Sequence, residues 1–451
     1  MKKLWLPLVI VVIWLVIFVA GPWYAGDKVE ARLDGLLKRM NTNGLITFEK
    51  TAYDKGLFSA TTAIKASINF DALGPAAKNL QLSNTNSSFV LNGKVSHGPF
   101  LFDDGFAFAV GNISFQPEIS AEHQQEVSKF FGSSNPLALN MRFNWDSSTE
   151  IGSSLIGFTA PDKTIKSAPA TFGATLSNNN THVKSHFNWG GLTFEKTESN
   201  GKAKKATVGV ISSSSEEDMM IEDIWVGNSR FNISSITFSD DAMGMSGKAD
   251  NFNVVAATSL DATKAFMNIM VDMTLKNVTV NNVSYVDDFQ YKLSFDHLHA
   301  ASLQKLVKAI KEAQQAGGSP EAMQMAMGMQ LMGIVPDMVK KGFTLRIDAL
   351  NARVMGEQIN SSLELNIAEG TDVTQGMAAI AGISAKLDIT VSRALLDKIP
   401  MANPQMVQGL ISQGLIVEEA GTLKSHAEFK GGQLTVNGKA MPIPGMPMPQ
   451  H

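Results

Sequence analysis

Eight histidines and no cysteine mark where chemistry could arise in this 451-residue chain. His182 and His186 stand four apart in "HVKSHFNW", a stretch that alternates like a strand. Four residues along a strand cover about 13 Å, too far for one tetrahedral metal ion. His297 and His299 form an HxH pair beside Asp296. On a strand both rings would share a face, a spacing that can bind metal, but nothing else nearby completes a ligand set. His97 sits in "SHGPF" with no sequence-local carboxylate, and His123, His426 and His451 are isolated.

The carboxylates offer little more. Asp103-Asp104, Asp240-Asp241 and Asp287-Asp288 are adjacent pairs. Neighbours on a strand point to opposite faces, so such pairs serve poorly as general acid and base and read as turn markers. "SEEDMMIED" (215–223) lacks the ligand spacing and central glycine of a calcium loop. There is no G-x-S-x-G elbow, no phosphate loop ending in G-K-[ST] and no H-E-x-x-H. Without cysteine there are no disulfides, thiol nucleophiles or zinc–thiolate sites. No catalytic, cofactor-binding or metal-binding residue is assigned, and the expected role is non-enzymatic, with a hydrolase whose site the sequence hides, including His97, His297 or His299, as the least favoured alternative.

The elements that would position any site begin with an uncharged run, Leu4–Ala20. Seventeen helical residues span about 26 Å, close to a bilayer's hydrocarbon core. Trp5 at one end and Trp23–Tyr24 at the other are the membrane-interface candidates. Lys2 and Lys3 precede the run, whereas Asp27, Lys28 and Glu30 after it are mixed in sign. The positive-inside rule then places the N-terminus in the cytoplasm and the body outside. A cleaved signal peptide is the rival, but the apolar run is long for one and Phe18-Val19-Ala20 is a poor cleavage site. The expected organisation is a stub and signal anchor over 1–25, a β-rich periplasmic body over 26–440, and a Pro/Met-rich tail over 441–451. No linker composition splits the body.

Asp27–Arg39 has the spacing of an amphipathic helix, with Val29, Leu33, Leu36 and Leu37 on one side. The period then changes to two. "TTAIKASINF" (61–70), "LALNMRFNW" (137–145), "GFTLRIDAL" (342–350), "SSLELNI" (361–367) and "ISAKLDITVS" (383–392) all alternate. Such strands have one apolar and one wet face. Asn92-Gly93, Asp104-Gly105, Gly190-Gly191 and Gly431-Gly432 are hairpin signals. "KTESNGKAKKATVG" (196–209) and "SSSSEEDMMIED" (212–223) read as a polar loop and a charged edge. The predicted fold is mainly β (α+β): a transmembrane helix, then a long antiparallel meander with a few covering amphipathic helices.

Helices are predicted over Ser302–Ala316, Glu321–Val335 and Pro404–Gln413, with Pro336 stopping or kinking the second. That second helix carries Met323, Met325, Met327, Met329 and Met332. Methionine fills irregular cores, makes adaptable apolar surfaces and can bind Cu(I). These five are the candidates for a hydrophobic ligand or partner surface. Net charge is −4 with no basic stripe, which excludes nucleic acid as a partner.

Four stretches in order resemble the YdgA-like family of Gram-negative inner-membrane proteins of unknown function. They are "GPWYAGDKVE" (21–30), "TAYDKGLFSATT" (51–62), "SHGPF" (96–100) and "GGQLTVNGKAMP" (431–442). The resemblance implies an inner-membrane protein with a periplasmic body and carries over no catalytic residue. In outline the chain is also similar to AsmA-like periplasmic lipid-handling proteins, which are anchored and strand-rich. The expected partners are the inner membrane, a lipid in an apolar groove of the sheet, or a second copy of the chain in a scaffold role.

Overall fold

A computed structural model describes residues 21–41, 46–69, 87–102, 105–316, 320–398 and 404–442. The chain is mainly β and divides between Trp189 and Gly190 into two compact units, with Ala309–Met327 grouped in the first. Among the described residues no helix is long and apolar enough to cross a membrane. The expected anchor over 4–20, with Trp5, lies outside them, as does the tail from residue 443.

The first unit opens with α1 (Gly21–Met40). Its strands are β1 (Ile46–Lys55), β2 (Ser59–Ile68), β3 (Ser87–His97), β4 (Gly111–Pro117) and β5 (Leu137–Phe143). Then come β6 (Thr149–Leu155), the small hairpin β7 (Phe158–Thr159) and β8 (Ile165–Ser167), β9 (Ala170–Ser177) and β10 (His182–Trp189). Each main strand pairs antiparallel with the next, and β6 passes over the hairpin to β9. A second helix, α2 (Ala121–Phe131), joins β4 to β5.

α1 starts six residues before the expected position. Pro22 stands in its first turn, where a missing N–H costs nothing, and Lys38 and Arg39 complement the dipole at its end. Val29, Leu33, Leu36 and Leu37 are buried, as their spacing requires. They pack with Ile64, Leu91, Val95, Ile113, Phe115 and Phe143 from the alternating inward positions of β2 to β5. Each such side chain contributes about 1.5–3 kcal/mol on burial.

Asn92-Gly93 is not a turn. Both residues lie inside β3. A Cβ on Gly93 would sit 2.5 Å from Thr62 Cγ2 and 2.7 Å from Phe115 Cε1, so this glycine makes room in the core. Gly431-Gly432 does form the expected turn, with φ of 58° and 81°.

The second unit begins with β11 (Leu192–Thr197), β12 (Ala203–Val208) and β13 (Ile211–Ile221). Four long strands follow: β14 (Ile224–Asp240), β15 (Met245–Leu260), β16 (Phe266–Val280) and β17 (Val283–His299). The helices α3 (Ala300–Ala316) and α4 (Pro320–Lys340) lead to β18 (Phe343–Val354), β19 (Glu357–Ile367) and β20 (Ile383–Ser392). The chain ends with α5 (Arg393–Lys398), α6 (Pro404–Ser412), β21 (Val417–Glu419), β22 (Thr422–Lys430), β23 (Gln433–Val436) and β24 (Lys439–Met441). From β14 to β20 each strand pairs antiparallel with its successor, and β22 adds to β20.

Two expectations are revised here. The segment 196–209 keeps a polar turn over 198–202 but then forms strand β12, and 212–223 is taken up by β13 rather than a charged edge; both strands pair with β14. Cross-strand charge pairing makes β12 tolerable: Lys204 lies 3.2 Å from Glu198 and 3.6 Å from Asp240, and Lys205 lies 3.5 Å from Glu195. Pro336 does not stop α4, which runs on to Lys340. Proline deprives a helix of a single N–H bond, and the burial of Val339 beyond it offsets part of that loss.

Candidate functional site

Among the described residues, His97, His123, His186, His297, His299 and His426 all meet structural neighbours. The HxH pair brings both rings to one neighbour, Phe266, with His299 tilted at 5.9 Å, although His297 has φ of +63° beside a register shift opposite Met267 and Ile269. The His297 ring stacks on Phe266 at 3.5 Å, while His299 Nδ1 lies 2.9 Å from Ser302 Oγ. On β10, His186 lies over Gly173, its cross-strand partner. His426 Nδ1 meets Asp388 Oδ1 at 2.6 Å across β20 and β22, and His123 meets Ser120 Oγ at 2.8 Å. Asp287-Asp288 lies within β17, not at a turn. Asp287 accepts from Ser284 Oγ and the Gly356 N–H, while Asp288 faces Arg353. Among the described residues no three His, Asp or Glu side chains gather as a metal-holding group.

His97 is the most deeply buried of these rings. Nδ1 lies 2.9 Å from the carbonyl of Pro22. A carbonyl only accepts, so Nδ1 carries the proton and Nε2 is the lone-pair nitrogen. Nε2 has no hydrogen-bond partner. A Cβ on Gly26 would fall 2.9 Å from Cε1 and 3.1 Å from Nε2, so only glycine lets α1 approach this ring. Burial holds the His97 pKa below the ordinary histidine value, against the opposite pull of the Pro22 and Ser59 carbonyls.

Around that ring α1 is tied to β1. Tyr53 Oη donates to the Gly26 carbonyl at 3.2 Å. Burial first, and then Glu30, Asp27 and Asp34, push the Tyr53 hydroxyl well above its usual pKa. Lys50 bridges Glu30 at 2.7 Å and Asp34 at 2.8 Å. Lys55 pairs with Asp27 and lies 3.8 Å from the centre of the Trp23 ring. Thus Trp23, Gly26, Glu30, Tyr53 and His97, drawn from three separate motif stretches, build one buckle. The carboxylates at 27, 30 and 34 share a helical face, and that spacing was a readable signal for the lysines opposite.

Among the described residues, each unit keeps an open apolar surface. In the first unit a cavity of about 450 Å³ lies beside the end of α1, lined by Leu36, Met40, Phe48, Leu139, Met141 and Leu176 among others. The polar side chains at its wall are Ser153 and Ser185.

The second unit shows a longer surface. Cross-strand partners put Val271, Leu293, Ile347, Leu363, Leu387 and Ala427 in one row over six strands. Ile269, Phe295, Leu345, Leu365, Ala385 and Phe429 form the next row. All twelve are half-buried. At about 4.8 Å per strand the rows run about 24 Å. The opposite face is charged, and Arg346, Glu364, Lys386 and Glu428 alternate in sign across four strands. At one edge α6 faces the apolar side through Val407 and Leu410, beside Ile389, Val391 and Leu423.

Of the remaining candidates, Trp23 and Tyr24 are 52% and 54% exposed on α1. Met332 is 72% exposed on α4. The side chains of Met323, Met325, Met327 and Met329 lie outside the described residues.

No curated protein and no solved structure matches this chain. A family model matches residues 1–444, and the chain therefore belongs to that family, the bacterial proteins of unknown function designated DUF945.

Proposed function

We propose that this chain is a non-enzymatic, single-pass inner-membrane protein of the YdgA-like kind, whose periplasmic body holds lipid acyl chains. The observation that carries the reading is the double apolar row of the second unit. An antiparallel sheet tolerates water on one face only when that face is polar. Here the polar face is the charged one, and twelve apolar side chains on the other keep part of their surface in water. A bilayer's core of roughly 30 Å is two acyl chains thick, so a row of about 24 Å is ample for one extended chain. The cavity beside α1 supports the same chemistry, since about 450 Å³ falls in the size range of small-molecule pockets. The histidines support the non-enzymatic part, because their rings serve stacking, capping and the buckle.

The test is a photo-crosslinking amino acid placed in living bacteria at Leu363, on the apolar row, and at Glu364, its neighbour on the charged face. Lipid adducts at 363 and none at 364 are expected. No adduct at 363 would sink the carrier reading. A protein adduct there would replace it with a scaffold that contacts a partner or a second copy.

A further inference from the structure

The geometry points to a second membrane contact, distinct from the anchor: the aromatic hairpin after β3 rests on the bilayer surface into which the N-terminal segment runs. This inference rests on the anchor part of the proposed function and not on lipid carriage.

Phe102, Phe106 and Phe108 are 73%, 70% and 63% exposed. They are not scattered. Phe100 stacks on Phe106 at 5.8 Å, Phe102 lies 5.8 Å from Phe106, and Phe108 lies 6.0 Å from Trp145. Nor is the hairpin loose at its base. Leu101 and Ala107 exchange both backbone hydrogen bonds, and Leu101, Ala109 and Val110 are buried. A held loop therefore presents a contiguous aromatic patch to solvent.

The occupant follows from where the chain goes. Pro22 lines the same cavity as Phe100, Phe102 and Phe106. The uncharged run ends at Ala20, two residues earlier. Two residues of any conformation reach at most about 7 Å. If residues 4–20 enter a bilayer, its surface lies beside this patch. Aromatic rings favour that interfacial depth. Lys94 lines the cavity too and makes no ion pair among the described residues, so it is available to an anionic headgroup. Trp23 and Tyr24 add their exposed rings on α1.

The chain's lack of cysteine makes the test clean. Single cysteines are introduced as F102C, F106C and, in the second unit, M243C, whose native side chain is 69% exposed. Each full-length variant is labelled with an environment-sensitive fluorophore and reconstituted in phosphatidylethanolamine–phosphatidylglycerol vesicles. The expected result is blue-shifted emission at 102 and 106, with more than half of it lost to lipids carrying a quencher high on the acyl chain. The label at 243 should be unaffected. Three results would overturn the inference. They are labels at 102 and 106 as wet as at 243, dry labels that lipid quenchers do not reach, and full-length protein that alkaline carbonate strips from the vesicles. Dry, unquenched labels would mean that protein or a small ligand covers the patch. Docking with no lipid adduct at Leu363 would leave this inference standing and remove the carrier reading.

Discussion

Under α1, Val95, Ile113 and Phe143 are 0% exposed, whereas Leu293, Ile347, Leu363 and Leu387 in the second unit are only half-buried. Both sets are alternating apolar positions of antiparallel strands. The first set is closed by a helix of its own chain. Among the described residues the second is not closed in this way over most of its length. The same sequence rule therefore built a core in one place and a surface in another. What separates them is whether a partner layer is supplied, which alternation within a strand cannot reveal.

The harshest way to break this contrast is to add charge on each side. Val95→Lys would bury an unpaired ammonium beneath α1, a cost that exceeds the stability of most domains. No folded first unit is expected by circular dichroism or limited proteolysis. Leu363→Lys should give a folded protein, because its ammonium can reach water, and should lose the lipid adduct. An unfolded Leu363→Lys protein would show that the double row is a closed core.

Truncation sharpens the contrast. Phe143→Ala should cost about 3–5 kcal/mol in urea unfolding, as large buried aromatics do. Leu363→Ala should cost about 1 kcal/mol, less than a fully buried leucine. Equal costs would erase the difference between the units.

Much of this was legible in advance and much was not. The helix at 27–39 showed itself through Val29, Leu33, Leu36 and Leu37, because period 3.6 is a local signal. The strand 383–392 showed itself to the residue. Asn92-Gly93 misled because the pair is permitted in a turn but required in β3, where Phe115 and Thr62 leave no room for a Cβ. The convergence of Gly26, Tyr53 and His97 is set by strand register, and no single stretch encodes it. The double row lay half-open to reading. Each strand announced which of its residues were apolar, but only the pairing Leu293–Ile347–Leu363–Leu387 shows that they join into one surface.

Glycine offers a finer comparison. A Cβ at Gly111 would lie 2.4 Å from Val29 Cγ2 and 2.9 Å from the Ser96 carbonyl, and neither can retreat from a closed core. Gly111→Ala should cost about 1–3 kcal/mol by overpacking. A Cβ at Gly247 would lie 2.1 Å from Phe238 Cε1, but that ring is 43% exposed and can swing away. Gly247 is itself buried, but with the ring free to move Gly247→Ala should cost less than Gly111→Ala, about 1 kcal/mol or below. A larger loss at Gly247 than at Gly111 would reverse the assignment of the closed unit.

The smallest effect concerns protons. His97 in the first unit and His299 in the second both have depressed pKa values, each first by burial. The neighbouring Lys341 and Lys305 add to the depression at His299. A histidine whose folded pKa lies below its unfolded value of about 6.5 binds more protons when unfolded. Its contribution is therefore whole above pH 6.5 and is lost as pH falls from there through the folded pKa. The melting temperature should drop as pH is lowered from 7 towards 5. His97→Gln should flatten that drop more than His299→Gln does. His97 is 1% exposed and its Nε2 makes no hydrogen bond, whereas His299 is only half-buried. A pH slope unchanged in His97→Gln would mean that the buckle opens to water on protonation, so that α1 is held chiefly by its apolar face and by Lys50 and Lys55.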